Sequence, residues 1–329
     1  MELLSIVIPC YNEEEMLPRF YAEICRVSDA MLNCRFEFIF VDDGSTDRTL
    51  AMLKDFCRTD DRVKWLSFSR NFGKEAALLA GLRTARGQLV AVIDADLQDP
   101  PDMLADMYGS IKAEGYDCAA AKRMSRDGEP LLRSMFARMF YWMMRKISKI
   151  NMVSGARDFR LMTRKVVDAI LSMPETGRFS KGIFGWVGFK TKWLPYEHIP
   201  RTDGKTKFSF TTLFRYSLDG VFSFSQAPIA LASVFGLALF LLSALFLIFI
   251  AARRLIWGDP VSGWASTVCI ILFIGSAQFF YLSLIGQYIS RMFLEIKNRP
   301  MYFIRESDDD FTRAAAADTP RETVVTAHD

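Results

Sequence analysis

An α/β chain with a mostly parallel, Rossmann-like sheet, followed by an apolar C-terminal helical hairpin, is the architecture that this 329-residue sequence predicts. Three observations lead there. Short apolar runs alternate with helical patterns over residues 1–125, polar clusters sit where the apolar runs end, and two long uncharged runs follow near the C-terminus. Strands this apolar are buried on both faces, which is the habit of parallel sheets covered by helices.

Leu3 to Pro9 reads as the first strand and Glu13 to Met31 as the helix after it. Phe36 to Val41 is the second strand, closing on Asp42-Asp43-Gly44, with Ser45 or Thr46 placed to cap a helix that reaches Cys57. Val63 to Phe68 and Lys74 to Ala85 supply the third strand and helix. Leu89 to Ile93 is the fourth strand and ends at Asp94-Ala95-Asp96; Pro100-Pro101 then opens a further helix, proline being tolerated in a first turn.

Hydrophobic residues make up 51% of the chain, with 28 Phe, and the excess is concentrated between Ala227 and Ile289. The run 227–252 carries no charge and stops at Arg253-Arg254; the run 264–289 is also uncharged and stops before Arg291. A bilayer core of roughly 30 Å needs about 20 helical residues, so both are long enough to span. The short link holds Gly258, Pro260 and Gly263, which makes the pair a transmembrane hairpin with both ends on one side. Two buried core helices are the alternative, against which the length of the uncharged runs counts. Met1-Glu2 leads straight into a strand without a basic signal segment, so the expectation is a catalytic domain in the cytoplasm on the inner membrane. Arg291, Lys297, Arg299 and Arg305 fit the positive-inside rule, while Arg253-Arg254 run against it.

This divides the chain into a cytoplasmic domain (1–200), a juxtamembrane loop and interfacial helix (201–226), spans at 227–252 and 264–289, a juxtamembrane segment (290–305) and a disordered acidic tail (306–329). The tail has seven acids against two arginines, a net of −5, which leaves +8 of the overall +3 for the rest and suits an anionic membrane surface. Apolar residues interspersed with cations at 131–147, and the Phe-rich stretch 208–224, have the composition of interfacial helices, core packing being the alternative for both. Nucleic acid is excluded as a partner, since no basic stripe with interleaved aromatics occurs. The six cysteines form no C-x-x-C pair, so neither zinc nor a disulfide framework is indicated.

Tyr11-Asn12-Glu13, Asp42-Asp43 and Asp94/Asp96 each follow the carboxyl end of a strand, the edge on which open α/β sheets bind ligands. Any one of these is a common solvated loop; three at strand ends are not. In Asp94-Ala95-Asp96, two carboxylates spaced i, i+2 can approach one divalent ion, with Gln98 as a further oxygen; Mg²⁺ or Mn²⁺ suits such ligands and accepts substrate phosphates. No G-x-G-x-x-G is present, and Gly204-Lys205-Thr206 lacks the first glycine of a phosphate-binding loop, Ile199 standing there. His198 has no partner pattern, and Met139, Met143 and Met144 read as filling.

Ser5-Ile-Val-Ile-Pro-Cys-Tyr-Asn-Glu13, Val41-Asp-Asp-Gly-Ser45 and Asp94-Ala-Asp-Leu-Gln-Asp-Pro100 resemble the family 2 glycosyltransferases of GT-A fold. Ser69-Arg-Asn-Phe-Gly-Lys-Glu75, Ala121-Lys-Arg123 and Asp158-Phe-Arg-Leu-Met162 narrow the resemblance to the polyprenyl-phosphate glycosyltransferases, and the twin spans to the bactoprenol glucosyltransferase branch. The resemblance implies that Pro9, Tyr11 and Glu13 frame the base and ribose of a nucleotide sugar and that Asp42 contacts uridine. It implies that Asp94 touches ribose or phosphate near the metal, that Asp96 and Gln98 bind the metal, and that Arg123 and Arg138 face phosphates, although Ala137 stands where the family often has Ser. Asp158 and Arg160 would line the acceptor side, and Arg201 to Lys207 resembles a loop closing over the donor. The family's processive Q-x-x-R-W motif is absent, which favours a single transfer, and a homo-oligomer such as a tetramer is implied.

The implied reaction transfers one hexose, glucose by branch resemblance, from a nucleoside diphosphate sugar to undecaprenyl phosphate. Metal at Asp96 and a contact from Arg123 would neutralise the leaving diphosphate. A phosphate monoester with a second pKa of about 6 is already a charged nucleophile, so Asp158 is expected to orient the acceptor rather than take a proton. In-line attack would invert the anomeric centre. Three other readings stand beside this one: a membrane glycosyltransferase with a glycolipid or polysaccharide acceptor, a non-catalytic membrane component with a vestigial domain, and, more distantly, a nucleotidyltransferase.

Overall fold

The computed structural model describes residues 1–124, 153, 155–175, 177–196, 234–236, 238, 241, 242, 245, 249 and 263–308. Strand β1 (Glu2–Cys10) leads to α1 (Leu17–Ala30), β2 (Cys34–Asp42) to α2 (Thr49–Thr59), β3 (Val63–Phe68) to α3 (Lys74–Thr84), and β4 (Leu89–Val92) to α4 (Met103–Lys112). Then come β5 (Cys118–Arg123), β6 (Ala156–Thr163), α5 (Arg164–Leu171), α6 (Ser180–Trp186), β7 (Thr191–Tyr196), the long α7 (Trp264–Lys297) and β8 (Ile304–Ser307).

The eight strands form one sheet in the order β7-β5-β6-β4-β1-β2-β3-β8. β1, β2, β3 and β4 are parallel, as the alternation predicts. Two strands run against them, in keeping with a sheet that is mostly and not wholly parallel: β6 lies antiparallel between β4 and β5, and β8 lies antiparallel on β3. The carboxyl ends of β1 to β5 and β7 and the amino end of β6 therefore share one edge.

The side-chain alternation of β1 splits the core into two layers. Leu4, Ile6 and Ile8 pack with α1, α2 and α4 on one face; Val7 packs with α3, α5 and α6 on the other. A Cβ on Gly81 would stand 2.2 Å from Val7 Cγ1, so α3 crosses β1 at a distance only glycine allows.

The chain after α7 comes back to the sheet. Tyr302 stacks on Phe68 with ring centroids 4.9 Å apart, Ser69 N–H donates to Phe303 O at 2.9 Å, and Lys54 pairs with Glu306 at 2.5 Å. Asp308 N–H donates to Trp65 O and its carboxylate accepts from Trp65 N–H, both at 3.1 Å. The segment expected to open a disordered tail at Glu306 is thus ordered through Asp308, because β3 would otherwise present an unpaired edge.

Counting only the described side chains, no helix is long and apolar enough to cross a membrane, so the expected hairpin is not found among them. Its first arm, 227–252, is described at eight positions only, and the stretches 131–147 and 208–224 lie outside the described residues.

Candidate active site

The loops after β1 and β2 are laced together by hydrogen bonds. Asn12 N–H donates to Ser45 Oγ at 3.0 Å, Thr46 N–H donates to Asn12 Oδ1 at 2.9 Å, and Glu13 N–H donates to Thr49 Oγ1 at 2.9 Å. Ser45 therefore does not cap α2 as expected; it accepts from the neighbouring loop, and α2 starts at Thr49 without a side-chain cap. Asn12 sits at φ 52°, a region that Asn tolerates better than most residues.

Asp42, the last residue of β2, is fully buried. Its carboxylate accepts from Ser67 Oγ at 2.6 Å and from Ser45 N–H at 3.0 Å. Asp43 reaches the other way and accepts from Phe72 N–H at 2.7 Å and Gly73 N–H at 2.9 Å. Burial pushes the Asp43 carboxyl up, and those two backbone donors only partly offset it. Between this loop and the one after β3, Gly44 takes φ +67°, and a Cβ there would lie 2.4 Å from the Arg70 carbonyl carbon.

The end of β4 is built differently. Lys74 Nζ, at the start of α3, lies 2.7 Å from Asp94 and 2.6 Å from Asp158, the third residue of β6. The two carboxylates share one cation, and their proton affinities separate. Burial raises both; Lys74, followed by Lys181, overcomes it at Asp158 and holds that carboxyl well below the usual range, whereas Asp94 stays raised. Asp158 is thus held as a carboxylate by the lysines beside it.

Asp96 Oδ1 accepts from Gln98 N–H at 3.2 Å across Leu97, whose φ is 54°. The Gln98 amide oxygen accepts from Arg157 Nη2 at 3.1 Å, and Arg157 Nε donates to buried Asp99 at 2.9 Å. The Tyr196 hydroxyl also donates to Asp99. Arg157 thereby clamps the Asp94–Asp99 loop from β6, with Tyr196 joining it from β7.

Of the residues singled out in the sequence, Pro9, Tyr11, Glu13, Asp42, Asp94, Asp96, Gln98, Arg123 and Asp158 all lie on the shared edge. Arg160 lies two residues further along β6 and is buried beside Phe184. Arg138, Arg201, Lys207 and His198 lie outside the described residues. Lys74, Arg157, Asp99, Tyr196 and Lys181 were not singled out. Lys74 and Asp99 had a signal, since they stand in the Ser69–Glu75 and Asp94–Pro100 runs; Arg157 and Tyr196 act through pairings across the sheet, and Lys181 comes from α6.

Among the described residues no group of three or more His, Cys, Asp or Glu could hold a metal by itself. Asp94 and Asp96 offer carboxylates, but Asp94 is already engaged by Lys74, and Gln98 by Arg157. That donor set fits a divalent ion bound together with a substrate diphosphate, as Mg²⁺ commonly is, rather than a self-standing site.

An eight-stranded α/β sheet with paired acids at its carboxyl edge is the arrangement that the resemblance to GT-A glycosyltransferases implies. The description "Glycosyl transferase family 2" matches residues 5–171, and the chain belongs to that family. It is 41% identical over 303 residues to an uncharacterized glycosyltransferase of Synechocystis sp., covering 92% of this chain and 95% of the relative. It is 40% identical to the CsbB protein of Bacillus subtilis over 93% of this chain and 92% of that one. With a prophage-derived bactoprenol glucosyl transferase of Shigella flexneri it shares 38% identity over 92% of this chain and 98% of the relative.

Proposed function

We propose that this glycosyltransferase moves one hexose, glucose from UDP-glucose, onto undecaprenyl phosphate, with inversion and with Mg²⁺ or Mn²⁺. The observation that carries the reading is Asp158, held ionised by Lys74 at the same edge as Asp42, Asp94 and Asp96, in a chain alignable over nearly its whole length with a bactoprenol glucosyl transferase. An acceptor that is already an anion needs orientation rather than deprotonation, and Asp158 is suited to that.

In this reading Asp42, with Pro9, Tyr11 and Glu13, receives the uridine. Asp96, with Asp94 and the Gln98 oxygen, holds the metal, which supplies charge neutralisation for the leaving diphosphate. Arg123 faces the phosphates, as do Arg138, Arg201 and Lys207.

Membrane attachment is part of the proposal. α7 has 34 residues, a length of about 51 Å against a bilayer core of roughly 30 Å, and its stretch 264–289 carries no charge. Ile271, Phe273, Phe279, Leu282 and Ile289 are all exposed on it. Because β7 and β8 belong to one sheet, the chain between them must cross a bilayer an even number of times. A span at 264–289 therefore requires a second one, and the run 227–252 is the candidate. The catalytic domain would stand on the cytoplasmic face of the inner membrane, and a homo-oligomer would pack through the spans.

The test uses detergent-solubilised enzyme with undecaprenyl phosphate, Mg²⁺ or Mn²⁺ and a panel of nucleotide sugars, following nucleoside diphosphate release and labelled lipid. Lipid-linked glucose formed from UDP-glucose, and lost in Asp96→Ala, is the expected result. Donor hydrolysis without lipid product would refute the acceptor, and a different productive donor would refute the sugar.

A further inference from the structure

Beside the acids, on the α6 face of the sheet, lies a cavity of about 220 Å³. Its floor follows from the register. Trp193 of β7 pairs with Ala120 of β5, and Ala120 with Arg160 of β6, so the two large side chains flank an alanine that leaves room between them. Lys181 and Phe184 of α6 and Phe189 complete the walls. The volume far exceeds the roughly 15 Å³ that one water requires, yet lies below the several hundred Å³ usual for whole drug-sized ligands.

The charge in this cavity is unbalanced. Arg160 is 2% exposed. Its guanidinium donates only to two backbone carbonyls, Asp158 O at 3.2 Å and Arg157 O at 2.8 Å, and lies 3.5 Å from the Phe184 ring centroid. No carboxylate lies in ion-pair range of it among the described residues, and the nearest along β6, that of Asp158, is taken by Lys74. Lys181 makes no close ion pair among the described residues, its charge acting on Asp158 from further off. A buried cation without a counter-ion is costly, and here buried Arg160 shares with the partly exposed Lys181 one space walled by three aromatic rings. The combination matches a ligand with an anionic head and an apolar body.

We infer that this cavity binds the acceptor's phosphate monoester together with the first part of its apolar chain, the phosphate between Arg160 and Lys181 and the chain against Phe184, Phe189 and Trp193. The inference rests on the acceptor reading above and adds a place and residues to it. It sets the acceptor phosphate two residues along β6 from Asp158, on the side away from Asp42. Lys181 then serves two ends of the site, since it also helps hold Asp158 ionised.

The experiment titrates full-length enzyme in detergent with farnesyl phosphate, farnesol and inorganic phosphate, and measures steady-state kinetics with undecaprenyl phosphate. Lys181→Met and Arg160→Gln are compared with wild type, and Lys190→Met, whose ammonium sits over Tyr116, serves as the control. Farnesyl phosphate should bind wild type more tightly than farnesol or phosphate does. Lys181→Met should weaken it about tenfold, the worth of one charged hydrogen bond. The KM for acceptor should rise by a similar factor, while UDP binding and the donor KM stay within twofold. Arg160→Gln is buried enough to disturb folding, so Lys181→Met decides. Unchanged farnesyl phosphate binding and acceptor KM in Lys181→Met would overturn the site, as would equal binding of inorganic phosphate alone. If wild type made no lipid product, the acceptor reading would fail; farnesyl phosphate binding that depends on Lys181 would still uphold an anion site, and its absence would sink both.

Discussion

The two halves of the active edge are held by different forces. At the β1–β2 end the loops are fastened by neutral hydrogen bonds and by backbone donors to buried carboxylates: Asn12 to Ser45, Glu13 to Thr49, Ser67 and Ser45 to Asp42, Phe72 and Gly73 to Asp43. At the β4–β6 end the fastening is ionic: Lys74 between Asp94 and Asp158, and Arg157 on Asp99. Short neutral bonds fix a shape before any ligand arrives. Ion pairs can exchange partners when a charged ligand enters. Under the proposed function, the first end would be a preformed nucleotide half and the second a half that reorganises around metal and phosphates.

The sharpest way to break this contrast is at the ionic end. Asp96→Ala should reduce turnover on the order of a hundredfold or more, with thermal stability almost unchanged; a large loss of stability would mean that the loop needs Asp96 to fold. Lys74→Met leaves Asp94 and Asp158 without the cation they share, and kcat should drop by about tenfold to a hundredfold, with partial recovery in Lys74→Arg. At the neutral end the damage should appear in stability first. Gly44→Ala places a Cβ against the Arg70 backbone at positive φ and should cost about 2–4 kcal/mol in urea unfolding. Ser67→Ala removes a donor to buried Asp42 and should cost about 1–2 kcal/mol while raising the donor KM. The smallest effect concerns Glu75, whose carboxylate accepts from Ser180 N–H at 3.0 Å and whose proton affinity burial raises. The native carboxyl holds its proton more tightly than the unfolded chain's, so stability falls as pH rises from about 4.3 through the native value. Glu75→Gln removes that slope; its stability relative to wild type should improve by about 1 kcal/mol or less between pH 4 and pH 7.

Much of the sheet was legible because its strands are buried on both faces and read as unbroken apolar runs; Leu3–Pro9, Phe36–Val41 and Val63–Phe68 fall within observed strands. The acids were legible for the related reason that polar residues ending such a run must lie at the strand's end. What stayed hidden depends on register. Asp158 and Arg160 belong to an antiparallel strand whose place between β4 and β5 has no local signature, and the partners of Lys74 lie 20 and 84 residues away along the chain. Ser45 looked like a helix cap because the sequence around it permits one; the neighbouring Asn12 N–H, brought close by folding, captures its oxygen instead. The return of Ile304–Ser307 to β3 was likewise unreadable, since four residues after a long apolar helix carry no sign of a distant partner.

That last strand also sets a clock. A ribosome adds roughly 5 to 20 residues each second, so about 12 to 50 s separate the synthesis of Phe68 from that of Ser307. Throughout that interval β3 is an open edge, able to recruit another chain's strand. It is closed only after the 34-residue helix before it has been made. The sheet bearing Asp42, Asp94 and Asp158 is therefore completed last, by a segment that can pair only once the apolar helix has been made.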